Sequence, residues 1–112
     1  MVSGKGKRVV LVTCWSLKEA RKIARGVVSA GLAACVNIGT VPVEAVYRWK
    51  GKVETAREFL LVMKTTAGRV GALEKEVMKL HSYDVPEFIV VEIVAGSKEY
   101  LRWVGESVGG RG

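Results

Sequence analysis

Residues 33–65 read AACVNIGTVPVEAVYRWKGKVETAREFLLVMKT, two long strand-like arms around the tight-turn signal Tyr47-Arg48-Trp49-Lys50-Gly51-Lys52. The first arm, Ala33 to Trp49, would span roughly 55 Å fully extended at about 3.3 Å per residue. A compact domain of about 100 residues has a radius of gyration near 13 Å. The arm must therefore bend or project beyond its own domain. Gly39 and Pro42 mark the bend, because proline donates no ladder hydrogen bond and sits at edges or bulges. Val43, Ala45, Tyr47 and Trp49 alternate with Glu44, Val46 and Arg48, giving one apolar and one mostly polar face. In the return arm Phe59, Leu61 and Met63 alternate with Leu60 and Val62, so that end is apolar on both faces. A two-residue turn pairs Glu44 with Arg57, whereas a three-residue turn pairs Arg48 with Glu54, and the pattern leaves both registers open. With Tyr47 and Trp49 near its tip, such a hairpin wants a partner surface, which points to oligomerisation.

Around this hairpin the elements fall in a simple order. Residues 1–7 read as a flexible tail, and Val9-Val10-Leu11-Val12 as a strand buried on both faces. Ser16 offers an N-cap and Glu19 completes a capping-box pattern. Leu17, Ala20, Ile23, Ala24, Val27 and Val28 then recur at helical spacing, and Gly31 supplies the stop. After the hairpin, Thr66-Ala67-Gly68 breaks the strand, and Val70, Leu73, Val77 and Leu80 mark a second helix. The connection His81 to Glu87 leads into an apolar strand over residues 88–94, and Ser97 caps a short last helix. Residues 109–112 read as a second tail, so residues 1–112 form one domain without repeats or linkers.

The fold class expected is α+β: a ferredoxin-like β-α-β-β-α-β sandwich with a long hairpin between its second and third strands and a short C-terminal helix. Both helices cover one sheet face. The other has no cover from within the chain, although Leu60 to Met63 and Ile89 to Val94 are apolar on both sides. Covering even about 800 Å² of such surface is worth on the order of 20 kcal/mol before ordering costs. Closure into a symmetric oligomer is the simplest cover.

Composition narrows the function classes. The formal charge is +7, with 10 Lys and Arg against 2 acids in residues 1–52 and 8 against 9 in residues 53–112. The positive residues are scattered and exposed aromatics are few, so nucleic acid is not the expected partner. No apolar run is long enough to span a bilayer, so no membrane partner is expected, and a cytoplasmic location follows. Two cysteines make no disulfide framework and suit a reducing compartment. The chain has no Gln, one Asn and ten Glu to one Asp, a thermophile-like bias.

No catalytic signature stands out. There is one His, no nucleophile elbow, P-loop or dinucleotide fingerprint, and Glu54 and Glu58 read as surface charges on a strand. Cys14 is the more informative residue, since it lies where the first strand hands over to a helix whose N-terminus favours thiolate. A thiolate and the imidazole of His81 are ligands suited to copper, zinc and related ions. Two ligands do not complete a structural zinc site, although a site shared between subunits could. Val85-Pro86 rigidifies the connection that presents His81, Tyr83 and Glu87.

Ala33-Ala34-Cys35-Val36-Asn37-Ile38, Tyr47-Arg48-Trp49-Lys50-Gly51-Lys52, Glu58, Lys64-Thr65, His81-x-Tyr83-x-x-Pro86-Glu87 and Tyr100-Leu101-x-Trp103 together resemble the CutA divalent-cation tolerance proteins. The resemblance runs from about Val9 to Val108. It implies a homotrimer of ferredoxin-like subunits, tolerance of copper and other divalent metals, no organic cofactor and no enzymatic reaction. Proposed metal ligation in bacterial members maps onto Cys14 and His81; the second His that those members can carry is Leu80 here. Residues of an intersubunit pocket map onto Tyr47, Trp49, Lys64, Tyr83, Glu87 and Trp103.

Overall fold

The structure is a computed structural model and describes residues 1–109. Its element order is β1 (Val2–Ser3), β2 (Lys7–Cys14), α1 (Leu17–Ser29), β3 (Cys35–Ile38), β4 (Val43–Trp49), β5 (Lys52–Thr66), a 3-10 turn (Ala67–Arg69), α2 (Val70–Leu80), β6 (Ile89–Glu92), β7 (Ala95–Gly96) and α3 (Lys98–Ser107).

The long strand β5 organises the sheet. Its C-terminal half lies between β2 and β3, and β2 continues to β6, giving the antiparallel order β3-β5-β2-β6. Its N-terminal half leaves this sheet and pairs with β4 alone. The first arm of the hairpin is thus broken between Ile38 and Val43, where Gly39 and Pro42 mark the bend. Projection of the hairpin draws the molecule out to 43 × 27 × 24 Å with a radius of gyration of 14.6 Å.

The register resolves in favour of the two-residue turn. Glu44 pairs with Arg57 and Trp49 with Lys52. Lys50 (φ 50°) and Gly51 (φ 80°) both occupy the left-handed region. Positive φ at both central residues is the type I′ requirement, and its twist matches that of the flanking strands.

The core lies between the sheet and the helices α1 and α2. Val10, Val12, Cys14, Leu61 and Met63 face it from the sheet, Ala20, Ile23 and Val27 from α1, and Leu73 and Val77 from α2. These helix positions follow the 3.6-residue period, which is why the two amphipathic stripes find this face. Ile89, Val90 and Val91 of β6 are by contrast all exposed.

The ends of the chain differ from the expected tails. Val2 and Ser3 pair with Gly96 and Ala95, and the buried Gly4 donates its amide to the Val94 carbonyl. The strand expected over residues 88–94 is accordingly shorter, Ile89–Glu92, with Ala95–Gly96 serving the N-terminal strand. Helix α3 runs past Gly105 to Ser107, and the Gly109 amide donates to the Gly31 carbonyl. The rest of the expected C-terminal tail, residues 110–112, lies outside the described residues. No helix among the described residues is long and apolar enough to cross a membrane.

Candidate metal centre and adjoining cleft

Three elements bring donor atoms together at the end of β2. Cys14 is the last residue of β2, Glu19 lies in the first turn of α1, and His81 is the C-cap of α2. One ligand atom from each lies within 4.8 Å of the other two. Ser16 caps α1 by accepting the Glu19 amide at 3.1 Å, which fixes where the Glu19 side chain leaves the helix. Its carboxylate reaches toward His81, and Glu19 Oε2 is buried without a hydrogen-bond partner. The His81 side chain is fully buried.

The imidazole has a defined hydrogen-bond pattern. Nε2 lies 2.7 Å from the Thr13 carbonyl. A carbonyl only accepts, so Nε2 carries the proton. Nδ1 accepts the Tyr83 amide at 3.1 Å and lies 3.4 Å from Glu19 Oε2. In the neutral ring no proton lies between Nδ1 and the Glu19 oxygen, and a second ring proton or a bound cation would satisfy that oxygen.

The thiol departs from the expectation set by its helix N-terminus. Burial, then the Glu19 and Glu58 carboxylates, push the Cys14 thiol up to about 12. Desolvation and two negative neighbours outweigh the partial positive charge of the helix end. Cys14 is thus a thiol in the free protein, and a metal must displace its proton. The donor chemistry and the orphaned carboxylate oxygen fit a divalent cation held by Cys14 and His81. Leu80, beside His81 in sequence, packs against the core.

Next to this cluster is an open cleft of about 680 Å³. Thr13 separates the two, since its carbonyl binds His81 while the residue itself lines the cleft. Tyr47 and Trp49 of β4, Glu58 of β5, and Tyr83 and Glu87 of the connection form the other walls. The Tyr83 hydroxyl donates to Glu58 at 2.8 Å, and its ring packs on His81 with centroids 4.7 Å apart. Burial, then the hydrogen bond to Glu58 and that residue's charge, raise the Tyr83 phenol. Burial and then Glu58 raise the Glu87 carboxyl.

Of the residues that the resemblance places in an intersubunit pocket, Tyr47, Trp49, Tyr83 and Glu87 converge in this cleft of the single chain. The other two lie elsewhere in the chain. Lys64 donates to Asn37 Oδ1 on β3, and Trp103 packs against Tyr100 on α3 with centroids 5.5 Å apart. Three contributors went unread in the sequence. In the sequence Glu19 reads as a capping-box residue, Glu58 as a surface charge and one position of the resemblance, and Thr13 as no site residue. The Glu58 signal was available, because its strand neighbours Phe59 and Leu60 are apolar on both faces.

Fold and site together define a small α+β protein with a buried thiol-carboxylate-imidazole cluster beside an acidic, aromatic cleft. The family profile of the CutA1 divalent ion tolerance protein matches residues 8–107. The chain belongs to this family. It is 44% identical over 104 residues to the divalent-cation tolerance protein CutA of Thermus thermophilus, covering 92% of this chain and 99% of that one. The solved Thermus thermophilus structure superposes with a TM-score of 0.89 over 92% of this chain and 99% of that one, at 43% identity. The Oryza sativa CutA1 structure gives a TM-score of 0.90 at 39% identity, covering 96% and 97%.

Proposed function

We propose that this protein is a trimeric, cytoplasmic metal-tolerance protein that binds copper or a similar heavy-metal ion through Cys14 and His81 and catalyses no reaction. The observation that carries this reading is the convergence of the two side chains, from β2 and the end of α2, onto one buried point. The strand order β3-β5-β2-β6, with α1 and α2 sharing one core, supports the ferredoxin-like arrangement. The exposed Ile89, Val90 and Val91 support an assembly that covers β6. Two free cysteines suit a reducing compartment.

Calorimetric titration of the reduced protein with a copper salt tests the ligand assignment. Affinity is expected to fall by roughly tenfold or more in both Cys14→Ser and His81→Ala. Unchanged affinity in both variants sinks it.

A second reading follows from the cleft, whose aromatic walls and half-buried Glu58 and Glu87 suit a small molecule or a segment of a partner protein. In this reading the trimer is a signalling module, and Lys64 and Trp103 of a neighbouring subunit complete the pocket. A ligand screen by thermal shift is expected to give hits that Tyr83→Ala loses. No hits beside robust metal binding would count against it.

A further inference from the structure

We propose that Glu19 is the third ligand of a site for a borderline divalent cation, and that filling this site requires the Tyr83 amide to leave His81 Nδ1. The proposal rests on the metal-binding reading of Cys14 and His81. It adds a ligand, an ion class and a link to the cleft.

Glu19 Oε2 is the one buried side-chain polar atom found without a partner among the described residues. Buried polar groups are satisfied as a rule, and an unsatisfied carboxylate oxygen is more costly than a neutral one. Its neighbours are the Cys14 thiol and His81 Nδ1, the latter 3.4 Å away, and neither makes a hydrogen bond to it. All three groups can offer an electron pair, Cys14 once its proton is displaced, and their ligand atoms lie within 4.8 Å of one another, so one cation can satisfy all three.

The hydrogen bond from Nε2 to the Thr13 carbonyl has the form of a support for metal ligation. A ligating histidine usually donates its other ring N–H to a carbonyl or carboxylate, which fixes the tautomer and orients the ring. Here that bond, 2.7 Å long, leaves Nδ1 as the ligating atom. Nδ1 has one lone pair, now used by the Tyr83 amide at 3.1 Å. Ligation and this hydrogen bond are mutually exclusive. Giving it up frees the start of the connection that holds the Tyr83 ring on His81 and its hydroxyl on Glu58 in the cleft.

The donor set also selects the ion. One thiolate, one imidazole and one carboxylate suit Zn(II), Co(II) or Cu(II), whereas Cu(I) favours softer sets. The two anionic donors together balance a charge of +2. Three protein ligands leave a position open to solvent or to a small molecule.

Co(II) titration of the reduced protein is the direct test, followed by absorbance and by amide hydrogen exchange. Wild type is expected to show a thiolate-to-cobalt charge-transfer band and the visible bands of a low-coordinate ion. The Tyr83 amide should exchange at least tenfold faster in the loaded protein. Glu19→Gln, nearly isosteric and still able to offer its amide to Ser16, should bind roughly tenfold or more weakly with shifted visible bands. Wild-type affinity and spectra in Glu19→Gln overturn the third-ligand assignment while Cys14 and His81 stand. Weaker binding with unshifted bands also overturns it, since charge without ligation explains that result. An unchanged Tyr83 exchange rate on loading overturns the displacement. If wild type shows no charge-transfer band, the metal-binding reading itself fails and the proposal falls with it.

Discussion

The Tyr83 hydroxyl donates to the Glu58 carboxylate across 2.8 Å, tying the connection before β6 to the middle of β5. Glu58 also acts at a distance, since its charge contributes to the raised ionisation of Cys14, Tyr83 and Glu87. Glu58→Gln keeps an oxygen that accepts from Tyr83 but removes that charge. Glu87 is then expected to titrate at lower pH, read from its side-chain carboxyl carbon by NMR. A Glu87 titration identical to wild type would show that burial alone sets it.

Cys14 imposes a pH dependence of known sign. In the unfolded chain the thiol ionises near its ordinary value of 9.0, whereas in the folded protein it holds its proton up to about 12. Between those values the folded state binds more protons than the unfolded state, so stability falls as pH rises. Below the unfolded value the thiol is protonated in both states and the contribution is fully present. The melting temperature of wild type should therefore drop more steeply than that of Cys14→Ala across this alkaline window. Parallel slopes would mean that the buried thiol ionises freely.

Most elements were legible because their signals are local. Ser16 before a 3.6-residue apolar period, Gly31 after it and Lys50-Gly51 between alternating strands each act within a few residues. What escaped depends on distant parts of the chain meeting. Glu19 fits a capping box whether or not His81 stands beside it, and Glu58 alternates like any exposed strand charge. Their roles arise only when α2 delivers His81 and Tyr83 to the end of β2. The N-terminal segment escaped for the same reason. Two glycines and two lysines read as a frayed tail, yet the strand that orders them, Ala95–Gly96, lies at the other end of the chain.

That N-terminal packing is testable at Gly4. A Cβ placed there would lie 2.0 Å from the Ile93 carbonyl oxygen, a backbone atom that no side-chain rotation can move. Gly4→Ala must therefore shift one of the two backbone segments. A cost of about 1–3 kcal/mol is expected for such overpacking, and each kcal/mol lowers the melting temperature of a domain this size by roughly 4–8 °C. Gly68→Ala is the control, since its Cβ would meet nothing within 4 Å and its φ is not positive. Equal melting temperatures for both variants would mean that residues 1–4 do not hold to β7.

Two regions expose apolar side chains that the core does not need. Ile89 and Val91 are 48% and 43% exposed on β6, and Trp49 is 47% exposed at the hairpin tip. A side chain half in water contributes little to the fold of its own chain, so its loss should register mainly in the oligomer. Val91 pairs with Val9 of β2, on the side of the sheet away from the buried Val10. Val91→Glu would place a charge wherever a partner covers that side, and an unpaired buried carboxylate is strongly unfavourable. Sedimentation equilibrium is expected to give a trimer mass for wild type and a monomer or a mixed distribution for Val91→Glu. Trp49→Ala should weaken the trimer at low protein concentration or lower its melting temperature. If both variants keep wild-type mass and melting behaviour, neither β6 nor the hairpin tip lies in the interface.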